Sequence, residues 1–211
     1  MESFEKSPFV LHPQQERSRI ALARIISGAA EVLVREGGDS FSMADIAEAA
    51  GLPVGSIYRR FKGKDSIIQA ISLDTFTRLE EIVRDRMQGG HFASAGEVVA
   101  ELTAGMVQMS EQNGALFQVL VRQPTNSSSV RATLLTGRTR IISYYKTSIS
   151  GFLQHIPEQR REKLIGISYH IVASAIVSKL RGEDPTLIDL SWSDLAQEVT
   201  KAATCYLGEA V

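Results

Sequence analysis

Residues 42–64 read SMADIAEAAGLPVGSIYRRFKGK, and two short helices joined by a glycine turn can be traced through them. Ser42 can cap a helix, Asp45 stands three positions on as its capping-box partner, and Phe41 and Ile46 occupy the two staple positions. Met43, Ile46, Ala47 and Ala50 follow at steps of three and four, forming an apolar stripe that Gly51 ends with a left-handed residue. Pro53 has the fixed φ that suits the first position of a new helix, where its missing N–H leaves no bond unmade. A second helix therefore starts almost at once. Crossing the first steeply, it stands out from the body where a DNA major groove can receive it.

The charge pattern supports that use. From Leu52 to Lys64 the charged residues are Arg59, Arg60, Lys62 and Lys64, with no acid among them, whereas the 211-residue chain has a formal net charge of −1. Basicity confined to one short segment of a near-neutral chain is the electrostatic footprint of a phosphate-facing surface. Lys64 also opens the next helix, where a cation opposes the macrodipole. A DNA phosphate placed there would satisfy both the lysine and the free N–H groups of the helix end.

The run AxxAGLPVGSIYRRFKGKDSII resembles the DNA-binding signature of the tetracycline-repressor (TetR) family, with Gly51, Gly55, Ser56, Tyr58, Phe61, Lys64, Ile67 and Ile68 in matching places. By motif the likeness spans about the first third of the chain; beyond it, only length and helical content match. The resemblance implies that Tyr58 and Lys64 contact phosphates, that Val54, Gly55, Ser56, Arg59 and Arg60 face the groove, and that Arg19 joins the DNA-contacting set. Two residues depart from the pattern: Pro53 stands where a capping Ser or Thr is common, and Ala44 where an Arg often touches DNA. The implied protein is all-α and cytoplasmic. It has a disordered N-terminal arm (1–13), a three-helix helix-turn-helix DNA-binding domain (14–63) and a larger helical domain for effector binding and dimerisation (64–211).

The remaining sequence fits this plan. Cys205 is the single cysteine, so no internal disulfide can form, and a reducing compartment suits the chain. The first residues lack the apolar core of a signal peptide, and the apolar run Leu164–Ser178 falls short of the roughly 20 residues a membrane span needs. A first helix is expected after Pro13, with Ile20, Ala23, Ile26, Ala30 and Leu33 on one face and Gly37–Gly38 as its stop. Further helices are expected over Lys64–Met87, Ala95–Gln112, Ala115–Arg122, Val130–Leu153, Pro157–Arg181 and Trp192–Leu207. Their breaks fall at Gly89–Gly90, Asn113–Gly114, Pro124–Ser129, Ile156–Pro157 and Gly182–Pro185. The window Lys163–Leu180 is apolar or small on every face, which asks for cover on every side. A monomer's central helix would satisfy this, and so would the homodimer contact through the last two long helices that the resemblance implies.

Effector candidates lie between the two ends of the chain. Met106, Met109, Phe117, Tyr144, Tyr145, Phe152 and His170 are soft or bulky side chains suited to an apolar or aromatic small molecule, with Tyr145 or His170 as the orienting hydrogen bonder. Plain core packing would use the same residues. Catalytic and metal chemistry find no support: His12, His91, His155 and His170 stand far apart, and Glu80–Glu81 and Glu158/Glu162 read as solvated helix faces. No cofactor is implied. The expectation is a ligand-responsive, sequence-specific transcriptional repressor whose partners are an operator duplex, a small effector and a second copy of itself, with no membrane. The alternatives are a helical oligomerisation module that has lost DNA binding and, third, a helical-bundle enzyme.

Overall fold

The computed structural model describes residues 16–122, 128–182 and 184–208. The expected arm at residues 1–13 lies outside them, as do residues 124–127 of the expected Pro124–Ser129 break. The described helices are α1 (Glu16–Glu36), α2 (Met43–Ala50), α3 (Val54–Tyr58), α4 (Lys64–Gly89), α5 (Ala95–Arg122), α6 (Ser128–Ile149), α7 (Glu158–Arg181), α8 (Pro185–Ile188) and α9 (Trp192–Gly208), with a 3₁₀ turn at Ser150–Leu153. Among the described residues there is no strand.

The chain divides into two compact units. One holds the described residues up to Thr77 together with the stretch from Ala115 to Leu134; the other holds Arg78–Gly114 and the residues from Leu135 onward. The helix-turn-helix of the first unit, the head, forms as its local signals require. The Asp45 amide donates to Ser42 Oγ at 3.2 Å while the Ser42 amide donates to the Asp45 carboxylate at 2.6 Å, a closed capping box. Those bonds hold the Asp45 carboxyl below the usual carboxylate range. Gly51 ends α2 at φ 61°, and Arg24 of α1 donates to its carbonyl at 3.0 Å. Helices α1 and α2 cross so closely that a Cβ on Gly28 would stand 2.7 Å from the Ala50 amide nitrogen.

The buried face of α1 is Leu22, Ile25, Ile26, Ala29, Val32 and Leu33; of the expected stripe Ile26 and Leu33 are buried, Ala23 and Ala30 half-buried and Ile20 is turned outward. Ile20 is 54% exposed. Leu22, Ile25, Ala29 and Val32 share helical spacing with Ile26 and Leu33, and this set faces the head core. Pro53 sits one position earlier than expected, as the cap before α3, with its carbonyl accepting the Ser56 N–H at 2.8 Å. Val119 and Leu120, from the far end of α5, complete the core that α1, α2, Ile57, Phe61, Ile67 and Ile71 begin.

In the second unit α7 packs on α9, burying Leu164, Ile165, Tyr169, Val172, Ile176 and Leu180 of one helix and Leu195, Val199, Ala203 and Leu207 of the other. Among the described residues α7 alone is long and apolar enough to cross a membrane by length and composition, a test that a packed core helix also passes. Its Ile167 is 46% exposed on the side away from this core. The expected break at Gly182–Pro185 contains a helix start: Asp184 accepts the Thr186 amide and Pro185 occupies the first turn of α8. Lys179 of α7 secures that link by donating to the Leu187 carbonyl at 2.6 Å, with its ammonium 5.2 Å from the centre of the Trp192 ring. The stretch expected as one helix to Leu153 leaves α-geometry at Ile149 for the 3₁₀ turn. The break expected at Asn113–Gly114 is a departure inside α5, with Asn113 at φ −132°, ψ 25°.

Glu80 corrects the solvated-face reading. It is buried, and its carboxylate accepts from Arg140 and from the Tyr144 hydroxyl, each at 3.3 Å. Two donors from α6 make the burial tolerable, since an unpaired carboxylate there would carry its full desolvation cost.

Candidate nucleic-acid interface

Helix α3 has one buried side chain, Ile57, which anchors it to the head core. Of its other residues expected at DNA, Tyr58 is 57% exposed, Val54 and Gly55 are exposed and Ser56 is half-buried, with Arg59 exposed just past the helix end. A Cβ on Gly55 would meet nothing within 4 Å, so the residue leaves open space at the helix start. Such a surface, with backbone and small side chains at the N-terminal end and cations at the other, can approach base edges and hold phosphates.

Arg59, Arg60 and Lys64 are held differently, and Lys62 is exposed. Arg59 donates to Ser56 Oγ at 2.9 Å and stays at the surface. Arg60 turns back, donating to the Ser56 carbonyl at 3.2 Å and to Ser18 Oγ of α1 at 2.9 Å. Its guanidinium is half-buried, and that burial, with Arg59 beside it, lowers its pKa from the ordinary arginine value. Lys64 donates to the Asp39 carbonyl at 2.9 Å and lies 5.4 Å from the centre of the Phe41 ring. Carbonyl dipole and ring face thus offset the unfavourable position at the start of α4, while the ammonium remains exposed for an anion. Arg19 is exposed on α1, 4.0 Å from Glu16. Ala44, which stands where the family pattern often has an Arg, is exposed and brings no charge. Sequence reasoning passed over Ser18 and Arg24, whose roles depend on partners in other helices; Arg24 spans 27 positions to reach Gly51.

A profile described as bacterial regulatory proteins of the tetR family matches residues 25–71, which run from α1 into the first third of α4. The HTH-type transcriptional regulator UidR of Escherichia coli is 31% identical over 188 residues, spanning 89% of this chain and 90% of UidR. The chain belongs to the TetR family. It is a DNA-binding transcriptional regulator, and these relatives are not enzymes. Solved TetR-type structures share the fold: PfmR of Thermus thermophilus superposes with a TM-score of 0.63 at 19% identity, covering 87% of this chain and 94% of PfmR. FadR of Bacillus subtilis, solved in complex with stearoyl-CoA, gives 0.64 at 16% identity over 86% of this chain and 97% of its own.

In this TetR-family regulator the expected effector residues fall into two groups. Phe117 belongs to the head unit, its ring centre 5.2 Å from that of Phe76. The others lie in the second unit, where Met106, Met109 and Tyr145 are buried, Tyr144 and Phe152 half-buried and His170 exposed. The Tyr145 and Ser168 hydroxyls pair at 2.9 Å out of solvent, and burial pushes the phenol's pKa up to about 12. His170 Nδ1 is 3.1 Å from the Arg138 guanidinium, and Asn113 donates to Met109 Sδ at 3.4 Å. An open cleft of about 610 Å³ lies elsewhere in the same unit, lined by Arg86, His91, Phe92, Glu97 and Glu101 among others, and it includes none of the expected effector residues. Among the described residues no group of three His, Cys, Asp or Glu side chains could hold a metal ion.

Proposed function

We propose that this regulator is a cytoplasmic homodimeric repressor, released from its operator by an apolar or aromatic small molecule. Residues 14–63 carry the DNA contacts in this reading, and residues 64–211 bind the effector and the second copy. Arg19, Val54, Gly55, Ser56, Tyr58, Arg59, Arg60 and Lys64 form the DNA face; Met106, Met109, Phe117, Tyr144, Tyr145, Phe152 and His170 are the effector residues. The acid-free, outward-turned surface of α3 with Lys64 beside it carries the first part. The exposed side of α7, with Ile167 and the small residues Gly166 and Ser174, supports a second chain packing there. FadR, bound to an acyl-CoA in the same fold, supports a small-molecule role for the C-terminal helices. Release follows by linkage: an effector that favours a conformation unable to hold DNA weakens operator binding by its differential affinity for the two states.

The test is a salt titration of duplex binding by the full-length chain and by Lys64→Ala. Loss of one phosphate contact flattens the slope of log K against log salt by about 0.9, so the variant dimer, which loses one in each half-site, should flatten it by about 1.8 and weaken all sequences alike. An unchanged slope removes Lys64 from the interface. A thermal-shift screen of apolar and aromatic compounds forms the second arm, where a ligand at a hundredfold excess over its Kd adds about 2.7 kcal/mol of stability. Hits that leave operator affinity untouched would overturn effector-driven release.

A further inference from the structure

Arg59 and Arg60 are adjacent and alike in charge, yet the structure gives them different surroundings. A guanidinium that reads guanine in the major groove presents two donors to O6 and N7 at once. Arg60 already has both terminal nitrogens engaged, one on the Ser56 carbonyl and one on Ser18 Oγ across 42 positions of sequence, and it is half-buried. To read a base it would have to break both bonds and leave Ser18 unpaired. Arg59 is exposed and makes one bond, to Ser56 Oγ, which restrains the side chain while leaving its other donors at the surface. Ser56 therefore serves both arginines, its hydroxyl fixing one and its carbonyl the other.

We propose that the two arginines divide the labour of recognition: Arg60 is a positioning residue that locks α3 onto α1 through Ser18, and Arg59, aimed by Ser56, selects a guanine in the operator half-site. This rests on α3 being the DNA-reading helix, and it narrows the proposed DNA face by moving Arg60 from contact to support. The lock acts on every sequence equally, because it sets the angle of the whole helix, whereas Arg59 acts at one base pair. Ser18 makes the lock testable without altering charge, since its hydroxyl is the far end of it.

The experiment uses the full-length chain, selection from randomised duplexes, and affinity for the selected site. Ser18→Ala and Arg60→Gln should each weaken that site about tenfold or more, the effect of losing a hydrogen bond to a charged group. The double variant should be no weaker than the weaker single variant, as partners in one interaction are not additive. The preferred sequence should stay as in the wild type, and Ser18→Thr, which keeps the hydroxyl, should restore affinity. Arg59→Ala should lose the preference for guanine at one position and keep the rest. Additive losses, or a relaxed base preference in Arg60→Gln but not in Ser18→Ala, would overturn the lock. A guanine preference surviving Arg59→Ala would overturn the selector. A wild-type protein that selects no sequence would instead defeat the underlying assignment of α3, whatever the arginine variants do.

Discussion

The head and the C-terminal unit satisfy their polar groups in different ways. In the head, most of these side chains close on a near neighbour or on a backbone carbonyl: Ser42 with Asp45, Arg59 with Ser56, Arg24 on Gly51, Lys64 on Asp39, with Arg60 on Ser18 as the side-chain pair between helices. In the C-terminal unit, side chain meets side chain between helices remote in sequence: Tyr145 with Ser168, Arg140 and Tyr144 with Glu80, Arg86 with Glu101. A surface that must match DNA is thus held largely by bonds that end on backbone, which fix helix ends and turn angles. The pairs named in the other unit join helix to helix through side chains at both ends, with Lys179 on the Leu187 carbonyl as a tie to backbone.

The largest expected effect tests the head. Gly28→Ala places a methyl group against the backbone of Ala49 and Ala50, which cannot swing aside as a side chain would. It should cost about 3 kcal/mol, the upper end of overpacking penalties, read as a lowered denaturation midpoint with an unchanged m-value. A variant as stable as the wild type would show that the α1–α2 crossing is looser than described.

The next effect tests the C-terminal unit. Ser168→Ala leaves the Tyr145 hydroxyl buried without its partner, at a cost of about 2 kcal/mol. Alkali should reach the same site. Tyr145 ionises near the ordinary 10.0 when unfolded and at about 12 when folded, so its contribution is whole below pH 10 and is lost as pH rises from there to about 12. Tyr145→Phe should remove that part of the alkaline loss, and equal alkaline curves for the two proteins would count against a buried phenol.

Smallest is the capping box. Ser42→Ala should cost about 1 kcal/mol. Asp45 has a lowered folded pKa, so its contribution is present above the unfolded carboxylate value and fades as pH falls below it. Asp45→Asn should flatten that acid limb in thermal melts; a limb of unchanged steepness would leave the box without a part in acid stability.

The same contrast decides what could be read in the sequence. Ser42, Asp45, Gly51 and Asn113 act within a few residues of themselves, so the cap, the turn and the interruption of α5 were legible from spacing. The break at Gly182–Pro185 is equally local, with left-handed Gly182 ending α7, while Asp184 and Pro185 within it also start the short α8. Glu80 gave no such signal: beside Glu81 it has the pattern of a wet face, and only donors 60 and 64 positions away explain its burial. Of the DNA face, the motif located α3 and Lys64. That Arg60 points inward depends on Ser18, which no spacing rule connects to it.

The head core draws on two separated stretches of chain, and this shapes how the protein is made. Ile71 is followed by roughly 50 residues before Val119 and Leu120 are synthesised, several seconds at about 5–20 residues per second. Throughout that interval the nascent helix-turn-helix lacks two of its core side chains and leaves an apolar gap uncovered. The DNA-binding part therefore matures only after most of α5 has left the ribosome, and an abortive product ending before Ala115 carries the family motif without a finished core to hold it.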